Sequence, residues 1–193
     1  MGGLASIWQL LFLGAPLLVA AVFHGLVLKH DLLTRLKKPL DFGLEVRSRR
    51  IFGNNKTWRG LAVNLAGCLA GASVQAWLEA RGCLPQWLPL VDYSRQWWLI
   101  GPLLGLGLSL GELPNSFLKR QLGIAPGQTG RRAAGLVFFV LDQIDLALGI
   151  WVLTFFLIRP GLKLVLLSLV LTFVLHLAVS LAGRGLGVRK TWF

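Results

Sequence analysis

The chain has 193 residues, of which 55% are hydrophobic and only 15% charged, and its mean hydropathy is +0.67. So few charges cannot solvate a globular surface, which argues against a soluble fold and for a polytopic membrane protein. The formal net charge of +12 would suit a nucleic-acid partner, but its distribution along the chain speaks against one.

Apolar runs predict five transmembrane helices: Ile7 to Leu28, Leu61 to Leu78, Trp97 to Gly111, Ala134 to Ile158, and Leu162 to Ala182. Each lies near the roughly 20 residues a helix needs to span a bilayer. The first lacks a basic leading segment and is long for a signal peptide, so it reads as a retained helix. Its opening Met1-Gly2-Gly3-Leu4-Ala5-Ser6 matches an acylation pattern by chance, because an outward N-terminus is out of reach of a cytosolic acyltransferase. The third is short and carries Gly101, Gly105, Gly107 and Gly111, whose spacing permits close helix packing inside a bundle. With no internal repeat, linker or composition break, residues 1–193 read as a single all-α integral membrane domain.

Basic residues alternate between dense and sparse connections. Lys29, Arg35, Lys37, Lys38, Arg47, Arg49, Arg50, Lys56 and Arg59 follow the first span, Lys119, Arg120, Arg131 and Arg132 the third, and Arg184, Arg189 and Lys190 the fifth. The other connections hold only Arg81 and Arg95, and Arg159 and Lys163. The positive-inside rule therefore places the N-terminus outside, the C-terminus in the cytosol, and both long basic loops on the cytosolic side of a cell membrane. Cys68 and Cys83 have no ligand-like spacing, and His24, His30 and His176 stand singly, as packing or interfacial residues do.

Two acids interrupt the fourth span, in Leu141-Asp142-Gln143-Ile144-Asp145-Leu146. An aspartate near a bilayer centre costs about 2.5–3.5 kcal/mol on insertion scales, so a pair needs compensation. Their spacing of three puts both on one helical face, where the charges repel unless a divalent metal or a proton lies between them, or a basic side chain of another helix pairs with them.

Two cytosolic segments face the same side. Arg47 to Gly60, with Gly53-Asn54-Asn55-Lys56-Thr57-Trp58-Arg59, is a basic, glycine-flanked loop entering the second span and suits an anion. Lys56-Thr57 echoes a P-loop, but Arg50 and Asn55 stand where that motif needs glycine. The arginines of this loop also suit anionic headgroups. After the third span, Glu112, Asn115, Ser116 and Lys119 fall on one face if Gly111 to Arg120 is helical, which would align an acid, two polar groups and a cation.

Taken in order, Pro39-Leu40-Asp41-Phe42-Gly43, Phe52 to Gly60, Ser116-Phe117-Leu118-Lys119-Arg120 with Leu122-Gly123-Ile124, and Leu141 to Asp145 resemble the CDP-archaeol synthase family, five-span relatives of the CDP-diacylglycerol synthases. The resemblance implies transfer of a cytidylyl group from CTP to a lipid phosphate, either the archaeal geranylgeranylglycerol type or phosphatidate, with Mg²⁺ as cofactor. It implies that Asp142 and Asp145, with Glu112, hold the metal. Lys119 and Arg120 would neutralise the lipid phosphate or the departing pyrophosphate, and Asn55, Lys56, Thr57 and Arg59 would hold CTP, with Asn115 and Ser116 beside them. Glu112 stands where the family usually has Asp, and the stretch from Gln121 to Leu141 is longer than in archaeal members. A transporter or channel would also explain intramembrane carboxylates, but the polar motifs gather on one membrane face. The extended aspartate signature of the CDP-alcohol phosphotransferases is missing.

Overall fold

A computed structural model of the chain describes residues 2–125, 128 and 132–185, the side chains of 132–134 and 179–185 excepted. Among the described residues six α-helices, a short 3-10 helix at Thr34–Leu36 and one small hairpin are formed, the helices and strands in the order α1 (Gly3–Lys29), β1 (Glu45–Val46), β2 (Arg49–Arg50), α2 (Trp58–Ala80), α3 (Tyr93–Leu110), α4 (Glu112–Gln121), α5 (Arg132–Ile158) and α6 (Leu162–Gly185). Each predicted span lies within or close to one long helix. Among the described residues, three stretches have both the length and the apolarity to cross a membrane: Gly3–Lys29, Trp58–Ala80 and Gly135–Ile158. In α6 the stretch whose side chains are described, Leu162–Ala178, is apolar, and α3 has 18 residues. Large apolar side chains stay exposed on the outside, among them Leu18, Val152 and Phe156 at 71%, 69% and 83%. Such a surface is costly in water and costs nothing in lipid.

Close backbone packing, not side-chain volume, fixes α3 at the centre of the bundle between α2 and α5. A Cβ on Gly105 would lie 2.8 Å from Leu65 Cα of α2, and one on Gly107 would lie 2.7 Å from Ile150 Cα of α5. Without a driving force from water, contacts this close are what hold helices together in a bilayer. Ile100 and Leu104, both fully buried, fill the remaining space.

The basic segment before α2 is more ordered than its composition predicts. Its ends are tied by Leu40 N–H donating to Lys56 O (2.7 Å) and Trp58 N–H to Lys38 O (3.0 Å). Between them β1 and β2 pair antiparallel, Glu45 with Arg50 and Val46 with Arg49. The turn residues Arg47 and Ser48 have φ of 53° and 58°, the left-handed conformation a two-residue hairpin turn requires. Asp41 is 3% exposed and organises the loop. It accepts from Gly43, Phe52 and Gly53 N–H at 3.0, 2.9 and 3.1 Å and from Arg50 Nη2 at 2.6 Å. Burial opposes its charge, but the Arg50 guanidinium and the three amides outweigh it and hold the carboxyl well below the usual carboxylate range. The hairpin docks on α4, where the Arg49 guanidinium donates to Gln121 O.

Candidate active site

α3 ends at Leu110, Gly111 caps it, and α4 begins at once with Glu112; Pro114 sits in the first turn of α4, where no backbone donor is lost. The helix then carries Asn115 and Lys119 on the face turned to α5, and both are buried, at 6% and 7% exposure. They meet the paired aspartates. Lys119 Nζ donates to Asp142 Oδ1 and Oδ2 at 2.6 and 2.5 Å. Asn115 Nδ2 bridges the carboxylates, donating to Asp142 Oδ1 at 2.6 Å and Asp145 Oδ2 at 3.1 Å. The interhelical ion pair weighed from the sequence is therefore present, but it does not balance the site: one ammonium faces two carboxylates. Asn115 Oδ1, buried beside them, has no hydrogen-bond partner. A buried acceptor left unmatched is uncommon and calls for a ligand.

The other residues singled out from the sequence surround this cluster in different ways. Glu112, at the start of α4, takes an ion pair from Lys56, joining the basic loop to α4. Thr57 caps α2 by accepting from Gly60 N–H at 3.2 Å. Asn55 is exposed. Arg59 is turned to Asp31 Oδ1 at 2.7 Å and Leu32 O at 3.4 Å, beneath the loop. Arg120 donates to Ile124 O, while its buried Nε has no partner; burial lowers its pKa from the ordinary value. Ser116 is half-buried on α4. Among the described residues no three His, Cys, Asp or Glu side chains are grouped to hold a metal by themselves.

A cavity of about 790 Å³ runs beside this cluster, lined by helices α1, α2, α3, α5 and α6. Its walls are mostly apolar, among them Leu10, Leu17, Leu104, Ile150 and Trp151 with Ser168 and Thr172 between, and its polar end carries Asn55, Lys56, Thr57 and Glu112. Neither aspartate lines it, but a Cβ on Gly111, the residue before Glu112, would lie 2.6 Å from Asp145 O, so the aspartates stand beside its polar end. His24, Asn64, Ser109 and His176 line it too. Sequence reasoning left the two histidines as isolated residues, because nothing in their spacing shows that α1 and α6 face one cavity.

Apolar helices enclosing a groove with charged groups at one end define an integral membrane protein with a polar site at the head of an apolar cavity. The CDP-archaeol synthase family, described as CarS-like, matches residues 4–193. CDP-archaeol synthases of Methanoregula boonei (38% identical over 160 residues, 79% of this chain and 87% of the relative) and Methanosarcina mazei (32% over 169 residues, 79% and 89%) are similar to it. So is that of Halobacterium salinarum, at 33% over 163 residues, 79% of this chain and 81% of the relative. The chain belongs to the CDP-archaeol synthase family. Its fold is that of a solved structure described as an intramembrane enzyme for archaeal membrane lipids biosynthesis, with a TM-score of 0.63, 23% identity, and coverage of 88% of this chain and 91% of that one.

Proposed function

We propose that this protein transfers the cytidylyl group of CTP to an archaeal-type ether-lipid phosphate, giving CDP-lipid and pyrophosphate on the cytosolic face of the membrane through a bundle of five spans. The carrying observation is the juxtaposition of an apolar groove of about 790 Å³ with Lys56 and Glu112 at its polar end and the Asp142–Asp145 pair alongside. An amphiphile with long chains and an anionic head fits that arrangement. The names of the relatives favour the ether lipid over phosphatidate.

The donor set at the aspartates fits Mg²⁺, which takes oxygen ligands and is commonly held by one or two carboxylates completed by substrate phosphates and water. Asp142 and Asp145 would hold it, and the unpartnered Asn115 Oδ1 offers a further oxygen; Glu112, the third expected ligand, is engaged by Lys56. Bound there, Mg²⁺ would supply charge neutralisation at the triphosphate. The remaining work falls to the chain. Lys119 and Arg120 offer cationic donors to phosphate oxygens, and Lys56, Thr57 and Asn55 at the groove mouth orient the anionic head. A lipid phosphate oxygen forms the new bond to the α-phosphorus of CTP while the bond to the β-phosphate oxygen breaks, so positioning and electrostatics suffice and no protein nucleophile takes part.

The test incubates purified protein in detergent with Mg²⁺, labelled CTP and either the unsaturated archaeal ether-lipid phosphate or phosphatidate. CDP-lipid from the ether substrate, lost in Asp142→Ala, is the expected result. No product from either lipid in folded protein overturns the proposal.

A further inference from the structure

The loop between α1 and α2 is inside out for a segment standing in water. Its carboxylate is at the centre and its large apolar side chains are outside: Asp41 is buried, while Phe42 and Leu44 are 67% and 62% exposed. Leu36, Val46 and Trp58 are exposed as well. The arrangement is a built one. Asp41 is bonded to four donors of the loop, and the residue after it, Phe42, takes φ of 48°, a left-handed conformation that a bulky residue seldom adopts. Apolar area turned outward by an ordered backbone marks a surface that meets something other than water.

The exposed side chains are connected. The Phe42 ring lies 5.9 Å from that of Trp58, whose N–H is bonded to Lys38 O. Leu44, just before β1, and Val46 within it are two residues apart and share a face of the hairpin. Cations border this surface: Lys29, Arg35, Lys38 and Arg47 are exposed and form no ion pair among the described residues. What covers it follows from its neighbours. α1 and α2 are both long and apolar enough to cross a membrane, so the loop that joins them starts and finishes at one boundary between membrane and water. The exposed apolar side of α1 runs down to Leu26 and Leu28, and the bilayer that covers those residues reaches the loop that follows.

We propose that residues 35–47, with Trp58, are an interfacial anchor lying in the headgroup layer at the site-bearing end of the bundle, with Phe42, Leu44 and Val46 at the acyl boundary and Arg35, Lys38 and Arg47 on anionic headgroups. Each part has its counterpart in that layer: the acyl boundary takes the apolar side chains, the headgroup level suits tryptophan, and anionic lipid attracts the cations. The anchor does not depend on the reaction proposed above. It bears on it in one respect, since the same loop carries Lys56 to Glu112 and so holds the polar end of the cavity at headgroup depth.

The experiment reads depth. In a Cys83→Ser background, where the remaining Cys68 is buried and out of reach of a label, Leu44→Cys and, separately, Leu36→Cys carry an environment-sensitive fluorophore. The labelled full-length protein is placed in vesicles of phosphatidylcholine, or of phosphatidylcholine with phosphatidylglycerol, with and without a lipid bearing a quencher near its headgroup. Expected are a blue-shifted emission, quenching by that lipid, and stronger quenching where phosphatidylglycerol is present. Arg35→Gln with Arg47→Gln should bring quenching in the mixture down to its level in phosphatidylcholine, with the thermal midpoint in detergent unchanged. Leu36→Cys carries the test if Leu44→Cys disturbs the hairpin. Emission as in water in every vesicle overturns the anchor. A blue shift that the lipid quencher does not reach means that protein, a second copy included, covers the face, and overturns it as well. Equal quenching in the two lipid mixtures overturns the recognition of anionic headgroups.

Discussion

Asp41 and the Asp142–Asp145 pair are the same kind of residue in opposite situations. Asp41 is saturated: three amides and a guanidinium surround its two oxygens. The pair on α5 is short of positive charge: Lys119 pairs with Asp142, the Asn115 amide bridges the two, and Asp145 has only that amide and the Leu146 N–H (2.7 Å), with an unpartnered acceptor, Asn115 Oδ1, next to them. A carboxylate whose lone pairs are all taken by its own chain holds structure. One left short of donors, where charge is costly, has room for a ligand.

The widest separation between the two sites should come from isosteric neutralisation. Asp142→Asn or Asp145→Asn is expected to cut CDP-lipid formation by about 10³-fold or more, since charge stabilisation is the main catalytic contribution available to this reaction. Asp142→Asn leaves the buried Lys119 ammonium without its carboxylate, whereas Asp145→Asn should lower the thermal midpoint in detergent little, because it relieves repulsion within the pair and keeps the Lys119–Asp142 ion pair. Asp41→Ala should do the reverse. It strands the Arg50 guanidinium and the Phe52 and Gly53 amides, at a cost of about 3 kcal/mol to the loop, read as lost hydrogen-exchange protection at Phe52 and Gly53. If Asp145→Asn unfolds the protein and Asp41→Ala leaves the loop protected, the contrast collapses.

Acid should sharpen the same contrast. The folded-state pKa of Asp41 is depressed, so its stabilising contribution is complete above the unfolded carboxyl value of about 3.9 and is lost as pH falls below that toward the folded value. Protection of the Phe52 and Gly53 amides should therefore persist at pH 5 and decline below about pH 4. Asp41→Asn should flatten that dependence; an equally steep decline in the variant would assign it to another group.

The helices were legible because apolar length is a one-dimensional signal, and residues spaced by turns share a face wherever the chain is helical. That reasoning aligned Asn115 with Lys119 and Asp142 with Asp145, and the structure turns those two faces toward each other. Glu112 shares the predicted face but is drawn to Lys56, a partner 56 residues away that spacing cannot reveal. The hairpin was not legible, since Arg47 and Ser48 take left-handed conformations that glycine or asparagine would ordinarily announce. Asp41 appeared in the sequence only as part of a family motif, and its four donors come from residues brought together by that hairpin. The groove is hardest to read, for His24 and His176 lie near opposite ends of the chain.

The smallest expected effect concerns a second lysine–aspartate pair. Lys37 Nζ lies 3.1 Å from Asp31 Oδ1, a contact that resembles Lys119 with Asp142, but its side chains are 55% and 57% exposed against 9% and 31%. Water and salt screen the exposed pair, and ordering two solvated side chains offsets much of the attraction. Lys37→Ala should therefore change neither turnover nor thermal midpoint measurably. Asp31 keeps its 2.7 Å bond to Arg59, which is the buried partner and the one with a charge to satisfy. A loss of activity in Lys37→Ala would mean that both cations are required to hold Asp31 under the loop, and that exposure is the wrong variable by which to rank these ion pairs.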